Sequence, residues 1–222
     1  MSVPRALNSF ADGERFAIGC GMYLENDAAM CLIPEITCLE YRGLTENDLS
    51  LLSEARIVEI RFPDGGFLCG GTPDNIETVS RGGVRVTSVT LVANPDFYRV
   101  PVSLTVRAGT TVRELLSGLL RPAGMSAPAL PEGFDTVLPR PRSFCCAVSE
   151  AVDDVMAELG ASACLRQGRL FVRPALTGRA AAALAEPASL LPGDTYNGRL
   201  VTRRTLALDT SGSVWRMKLE VE

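Results

Sequence analysis

The sequence contains no histidine and only one lysine, Lys218. Without histidine there can be no Ser-His-Asp or Cys-His catalytic arrangement, no histidine-ligated zinc site and no HExxH metalloprotease motif. A Ser-Lys dyad or a lysine Schiff base would have to use Lys218, which the surrounding pattern places in the middle of a strand. We therefore predict that the chain is not an enzyme and has no catalytic, cofactor-binding or metal-binding residues.

The cysteines are odd in number, and no two are spaced as CxxC. Several lie in apolar runs typical of strands, so we interpret them as buried free thiols that act as small hydrophobic side chains. Cys145 and Cys146 are adjacent on a predicted strand and point to opposite faces, which favours two packing positions over a redox pair. Free thiols indicate folding in a reducing compartment. The seven cysteines are Cys20, Cys31, Cys38, Cys69, Cys145, Cys146 and Cys164.

Long apolar segments are also lacking. The start of the chain has no apolar core of signal-peptide length, and no uncharged apolar run approaches the roughly 20 residues of a membrane span. The net charge of −4 and the pI near 5.1 argue against a dedicated nucleic-acid binder, which needs a basic face to neutralise phosphates. We expect a soluble protein that is made in a cytoplasm and spans no membrane.

Carboxylates are the remaining candidates for chemistry, because a pair of them suffices for glycoside hydrolysis. Glu and Asp occur throughout the chain, so Asp153 with Asp154, or Glu35 with Glu40, can be nominated. Asp153 and Asp154 are predicted in the first turn of a helix, where the helix dipole favours negative charge. A carboxylate-dependent cell-wall hydrolase is kept as an alternative function, although no pattern singles out either pair.

The first part of the chain alternates apolar and polar residues between glycine-rich turns, which is typical of short strands. One helix interrupts them, with Thr45 and Asp48 placed as a capping box. Turns are predicted at the PDGG and RGG sequences. The predicted strands are 16–24, 30–41, 56–62, 75–79 and 84–93, followed by an extended run at 97–109.

The second part mixes helices and hairpins. Thr111 and Glu114 form a TxxE capping box ahead of a leucine stripe, and a second helix is predicted from Ser149 to Gly160. Two hairpins follow, at 163–174 and at 199–222, and the last strand is predicted to bury Trp215 and expose Lys218. The other predicted elements are a proline-rich loop at 125–142, a strand at 143–149 and a weak alanine-rich helix at 178–186.

Together these patterns predict a β-rich α+β fold with a small β-barrel or sandwich and an α/β insertion. We place an N-terminal β-barrel domain at 1–108 and the α/β insertion at 109–175. A C-terminal segment at 176–222 is predicted to contain a hairpin that completes a second barrel.

The order of these elements resembles that of the central tail-hub proteins of contractile-tailed and Mu-like phages, the late control or tail protein D relatives. The similarity spans most of the chain and rests on patterns in five segments. These are IPEITCLEYRGLTENDLSLLSEARIVEIRF, FLCGGTPDNIETVSRGGVRVTSVTLVANPDFYRVPVSLTV, RAGTTVRELLSGLLRPAGM, SFCCAVSEAVDDVMAELGASACLRQGRLFVRP and LVTRRTLALDTSGSVWRMKLEVE.

The resemblance implies a structural role in a virion tail that is assembled in the host bacterial cytoplasm. In such hubs, tube-like β domains associate around a channel, often as a trimer that matches a hexameric tail tube. The implied partners are other copies of the chain, the tail tube and other baseplate or tip proteins, with genome DNA met only in passage. The resemblance implies no cofactor and no catalytic residue. A hexameric distal tail or tail-completion protein is the structural alternative.

Overall fold

The computed structural model describes residues 6–175, 181–212 and 214–222. These fall into two compact units. Unit 1 contains 6–29, 35–93 and 181–222, and unit 2 contains 30–34 and 94–175. The three domain ranges predicted from the sequence stay a prediction.

Strands make up most of the regular structure, at 48% of the described residues against 18% for helices. The predicted β-rich fold is therefore confirmed. The strands are β1 (Asn8–Ala11), β2 (Glu14–Phe16), β3 (Gly21–Ala29), β4 (Ile36–Arg42), β5 (Val58–Arg61), β6 (Phe67–Arg81), β7 (Val84–Val92), β8 (Pro101–Val106), β9 (Arg142–Ala147), β10 (Ala161–Arg166), β11 (Arg169–Pro174), β12 (Ala181–Ala185), β13 (Thr195–Tyr196), β14 (Arg199–Asp209) and β15 (Trp215–Val221). The helices are α1 (Glu46–Glu54), α2 (Pro95–Arg99), α3 (Val112–Leu120) and α4 (Val148–Leu159), with a 3₁₀ turn at Arg121–Ala123.

Unit 1 is built on one large antiparallel sheet. Its strand order is β12-β15-β14-β3-β4-β7-β6-β5-β1-β2, and β13 pairs with the start of β14. Among the described residues, no pairing joins the two ends of this order, so a closed barrel stays a prediction.

The long strand β6 changes partners part-way along. Its first residues pair with β5 as far as Gly71, and its residues from Thr72 onward pair with β7. A Cβ on Gly70 would lie 2.5 Å from the Val58 carbonyl oxygen, and a Cβ on Gly71 would lie 2.6 Å from the Val92 backbone. The two glycines let three backbones approach closely at this point.

The partner change lets the sheet fold over a single core. Buried side chains from both ends of the strand order belong to this core, which α1 covers through Leu52. Burying apolar area in this way is the main favourable term in folding. The core contains, among others, Ala11, Phe16, Leu24, Leu39, Tyr41, Val58, Ile60, Val89, Leu91, Leu206, Leu208, Met217 and Leu219.

Unit 2 packs α3 and α4 with two hairpin sheets, β8–β9 and β10–β11, around its own core. Gln167 and Gly168 both have positive φ, which gives β10–β11 the tight two-residue turn predicted from the QG dipeptide. Arg142 lies over the Phe144 ring at 5.0 Å and pairs with Asp154 and Glu158 of α4. These contacts tie β9 to α4.

Both predicted capping boxes are confirmed. The Thr45 hydroxyl accepts from the Asp48 N–H at 3.1 Å, and the Asp48 carboxylate accepts from the Thr45 N–H at 3.0 Å. Thr111 and Glu114 form the same pair at the start of α3. Gly160 ends α4 in the left-handed conformation, also as predicted.

Four predicted elements differ from the structure. The alanine-rich segment is the strand β12 over its described residues, because pairing with β15 overrides the helix propensity of alanine; residues 178–180 lie outside the described residues. The start of the extended run at 97–109 is the helix α2, whose first residue is Pro95. The second helix begins at Val148 and is capped through Glu150, so Ser149 is not its cap. The strand predicted at 75–79 is the second half of β6.

The first two predicted strands begin too early. The strand at 16–24 starts at Gly21 as β3, after a turn in which Ala17 has positive φ. The strand at 30–41 starts at Ile36 as β4, because 30–34 belong to unit 2. Among the described residues, no helix is long and apolar enough to cross a membrane.

The partner change at Gly71 can be tested by substitution. We expect Gly71→Ala to lower the free energy of unfolding by about 1–3 kcal/mol, because the added methyl group would overlap backbone atoms. Gly21→Ala is the matched control, since its Cβ would meet only Arg42 side-chain atoms at 3.7 Å. Urea unfolding followed by circular dichroism measures both. Equal stability of the two variants would contradict this account of β6.

Candidate assembly surface

The seven strands from β12 to β6 in the sheet order present a face turned away from the core, here called the outer face. Strand alternation assigns its side chains, because alternate residues of β3, β4 and β15 are buried in the core, and the register with β7 and β3 extends the assignment to β6 and β14. Its charged members are six acidic residues, Glu25, Asp27, Glu40, Glu77, Asp209 and Glu220, and five basic residues, Arg42, Arg81, Arg203, Arg216 and Lys218. The face therefore carries one more acidic than basic side chain.

Some of these charges are paired across strands. Arg203 donates to Asp27, with an Nε–Oδ1 distance of 2.8 Å. This hydrogen bond holds the pKa of Asp27 below its ordinary value. Glu40 lies 3.4 Å from Arg42 and 3.6 Å from Arg81. Such exposed pairs stabilise the sheet only weakly, by up to about 1 kcal/mol each.

Other charges on the outer face lack such a partner. Within the described part of the chain, Glu77, Arg216 and Lys218 form no salt bridge. Glu77 lies on β6, at one side of the seven strands. Arg216 and Lys218 lie on β15, next to β12 at the other side.

The first open edge is the side of β12 that lies away from β15. Glu222 and Leu200 exchange backbone hydrogen bonds. The backbone N–H and C=O groups of the even-numbered residues of β15 therefore point toward β14, and those of the odd-numbered residues point toward β12. Ala181, Ala183 and Ala185 pair with those odd-numbered residues. The N–H and C=O groups of Ala182 and Leu184 therefore point away from the sheet, where no described strand pairs with them.

The second open edge belongs to the far half of β6. The Arg85 carbonyl and the Ala93 N–H form hydrogen bonds on the β4 side of β7. The backbone groups of the odd-numbered residues of β7 therefore point toward β4, and those of the even-numbered residues point toward β6. Their partners on β6 are Asn75, Glu77 and Val79. The N–H and C=O groups of Ile76, Thr78 and Ser80 therefore point to the side where no described strand pairs.

A buried polar cluster lies on the core face of the same strands. Arg204 of β14 is fully buried and donates to the Asn26 side-chain oxygen at 2.6 Å and to the Leu190 carbonyl at 2.9 Å. Asn26 in turn donates to Glu35 at 2.8 Å and to Thr37 at 2.9 Å. The cluster fixes the side-chain register of β14, β3 and β4.

Charge within this cluster is costly to bury. Glu35 lies 3.6 Å from Arg204, and its side chain is 20% exposed. Burial raises the pKa of Glu35 above its ordinary value, although Arg204 and the Asn26 hydrogen bond oppose the shift. The Arg204 Nε finds no hydrogen-bond partner among the described residues. The cluster is therefore only partly compensated, and removing one partner leaves an unpaired buried charge.

The residues nominated for chemistry do not come together in a pair. Glu35 lies on the core side of the sheet and Glu40 on the outer face, because odd and even positions of this segment point to opposite sides. Asp153 and Asp154 lie in the second turn of α4, since the helix begins at Val148, so their predicted first-turn position is wrong. Asp154 binds Arg142. Among the described residues no three metal-ligating side chains are grouped.

The other singled-out residues have structural surroundings. Lys218 is exposed in the middle of β15, and Trp215 packs against the unit 1 core, both as predicted. All seven cysteines are free. Cys69 and Cys164 are buried as predicted, and burial raises the pKa of the Cys69 thiol to about 12. Cys38 and Cys145 are exposed, so the prediction of burial is wrong for these two.

Two features of this surface were missed by the sequence reasoning. Arg204 has the alternation signal of a core position, since it precedes Leu206 and Leu208 at a spacing of two, but a charged residue is rarely expected there. The alanine content of β12 predicts a helix, although the segment is an edge strand. Its only sequence signal is the lack of charge between Ala181 and Ala185.

Comparisons with known proteins identify the fold. No protein-family model and no curated protein matches the chain. A tail protein from Neisseria meningitidis MC58 superposes with a TM-score of 0.70 at 9% identity, covering 99% of this chain and 96% of that one. The 43 kDa tail protein of prophage MuSo2 from Shewanella oneidensis gives a TM-score of 0.67 at 9% identity, covering 100% and 98%.

A third solved structure widens the range of machines with this fold. It is an E. coli component of the type VI secretion system, described as similar in structure to the T4 bacteriophage tail proteins gp27 and gp5. It superposes with a TM-score of 0.59 at 10% identity, covering 96% of this chain and 76% of that one. The resemblance to tail-hub proteins drawn from the sequence is confirmed at the level of the fold.

The buried cluster gives a prediction for stability. We expect Arg204→Met to lower the free energy of unfolding by about 3–5 kcal/mol, because it leaves the Asn26 side-chain oxygen without its donor and Glu35 without its ion-pair partner. Arg203→Met is the control on the neighbouring position of β14, and its exposed pair with Asp27 predicts a loss of at most about 1 kcal/mol. Urea unfolding compares the two. Similar losses would contradict the role assigned to Arg204, and partial recovery by adding Glu35→Met would support it.

The raised pKa of Glu35 gives a prediction for pH dependence. The folded state holds the Glu35 proton more tightly than the unfolded state, so this group makes stability fall as pH rises above its ordinary value of 4.5. We expect Glu35→Gln to remove this part of the slope, so that the difference in unfolding free energy between the two proteins changes in that pH range. Urea midpoints measured from pH 4 upward test it. A difference independent of pH would contradict it.

Proposed function

We propose that this chain is a structural subunit of a phage or phage-like tail. In this proposal, copies of the chain form a hub or baseplate ring that joins the tail tube to the tip around a central channel. The observation that carries it is the match of nearly the whole chain to two phage tail proteins, with TM-scores of 0.70 and 0.67. The relation of a third match to a secretion-system component supports the same class of tubular machine.

The outer face supports a role beside a passing genome. Six acidic and five basic side chains leave it with no net attraction for phosphate, and the protein as a whole carries a charge of −4. A surface that neutralised phosphates with several unpaired cations would bind DNA strongly, with a steep dependence on salt. A balanced face lets DNA pass without holding it. The implied partners are other copies of the chain, the tail tube and further tip proteins.

The open edges support assembly. An edge strand with unpaired N–H and C=O groups is a template for pairing with another chain, and soluble proteins usually protect such edges with charge, proline or a covering segment. The five residues of β12 contain neither charge nor proline. An exposed edge of this composition suits a subunit whose edges are satisfied in an oligomer.

Stoichiometry separates the two structural candidates. A hub built on the resemblance contains three copies, whereas a distal tail or tail-completion ring contains six. Native mass spectrometry of the purified protein, with electron microscopy of the same sample, is expected to give a closed ring of one of these sizes. A chain that stays monomeric up to its highest soluble concentration would contradict the proposal.

A further inference from the structure

The two open edges bound a run of seven strands whose neighbours are all antiparallel. Because seven is odd, the first strand, β12, and the last, β6, run in the same direction. A rotation about a ring axis that runs along the strands carries one copy onto the next and keeps this direction. It therefore brings the β12 edge of one copy beside the β6 edge of its neighbour as a parallel pair.

The alternation of backbone groups fits a parallel pair. In parallel sheets, a residue whose N–H and C=O point across the gap lies opposite one whose groups point away. The backbone N–H and C=O of Thr78 point to the open edge, and its side chain lies on the core face, where it contacts Thr87. The backbone groups of Ala183 point toward β15, away from the open edge, and its side chain also lies on the core face. A β6 residue of the first kind can therefore lie opposite a β12 residue of the second kind with both side chains on the same face.

One pair of opposite charges can form across the joined edges. Glu77 lies on the outer face of β6, and Lys218 lies directly opposite Leu184 on β15. Joining the edges would separate the strands of Glu77 and Lys218 by two spacings, roughly 10 Å. A register with Glu77 opposite Leu184 places Glu77 and Lys218 on either side of Leu184 on the outer face, where their long side chains can meet.

We propose that Ala181–Ala185 of one copy adds in parallel to the 75–81 segment of β6 in the next copy, so that the outer faces form one continuous sheet. The inference rests on the proposed ring and names the strands that close it. The contact is heterologous, with a different edge on each side, as a ring requires. Backbone hydrogen bonds supply the binding, as in other cases of β-strand addition.

A head-to-tail contact fits the proposed ring better than a pairing of like edges. Pairing β12 with β12, or β6 with β6, is isologous and gives a closed dimer in which the other edge of each copy stays open. Both signs of charge lie beside each edge, with Glu220 next to Lys218 on β15 and Arg81 near Glu77 on β6. Strand direction and ring closure, and not charge, are therefore the grounds for the head-to-tail contact.

Proline substitutions test the pairing, because successive backbone N–H groups of β12 point in opposite directions, one to the open edge and the next to β15. Ala182→Pro removes an N–H that points to the open edge, so we expect the monomer to keep its urea midpoint while the ring is lost in native mass spectrometry. Ala183→Pro is the matched control; it removes an N–H that faces β15, and we expect a lower urea midpoint. A ring that persists with Ala182→Pro would overturn the pairing and leave the ring itself standing. A wild-type chain that forms no ring would overturn the proposed function.

Cysteine cross-linking provides a second test that does not depend on the stability of the proline variants. The background carries Cys38→Ser and Cys145→Ser, which remove the exposed thiols. Leu184→Cys combined with Glu77→Cys or Val79→Cys places both thiols on the outer face, and mild oxidation is expected to give a ladder of oligomers. Leu184→Cys with Thr78→Cys is the control, since its thiols lie on opposite faces and should give no ladder.

The cross-linking outcomes separate the alternatives. A ladder from the outer-face pairs alone supports the parallel addition. A ladder of equal yield from the Thr78→Cys control, or no ladder from any outer-face pair in a protein that still forms rings, overturns it. Dimers from Leu184→Cys by itself would show that β12 pairs with β12, and would also overturn it.

Discussion

The close approach of three backbones at Gly70 and Gly71 is the constraint on which unit 1 depends. Here β6 leaves β5 and joins β7, so one strand belongs to both parts of the sheet. Side chains from β1, β2 and β5 can then share a core with those of β14 and β15. A flat sheet without this change of strand partner would expose one apolar face along its whole length. The same change of partner leaves the far half of β6 without a neighbour on one side among the described strands, so the point that lets the sheet fold also creates the edge to which we assign the ring contact.

The local elements with strong chemical signals could be predicted from the sequence. The capping boxes at Thr45 and Thr111, the left-handed glycine after α4, the QG turn and the dry face of β15 follow from rules that act within a few residues. These signals do not depend on what the chain packs against. The fold resemblance rested on their order along the chain, and the solved tail proteins share that architecture at about one residue in ten.

The features that matter for assembly could not be predicted in the same way. Ala181–Ala185 favours a helix by intrinsic propensity, and only a partner strand distant in sequence makes it a strand. Arg204 occupies a core position because Asn26, Glu35 and the Leu190 carbonyl surround it, and none of these is near it in sequence. Open edges are properties of strand order, which alternation within one strand does not reveal. Glu35 and Glu40 lie on opposite faces of the sheet, because an odd spacing along a strand changes the face.

The position of β12 along the chain has a consequence for protein synthesis. Its one described strand partner, β15, is translated later, so the ribosome must pass Val221 before β12 can be held in the sheet. The β6 edge, by contrast, can form as soon as β7 has emerged. In the proposed ring, the β12 half of the contact is therefore missing until β15 has been synthesised. The order of the strands delays the proposed pairing of copies relative to the folding of β6 and β7.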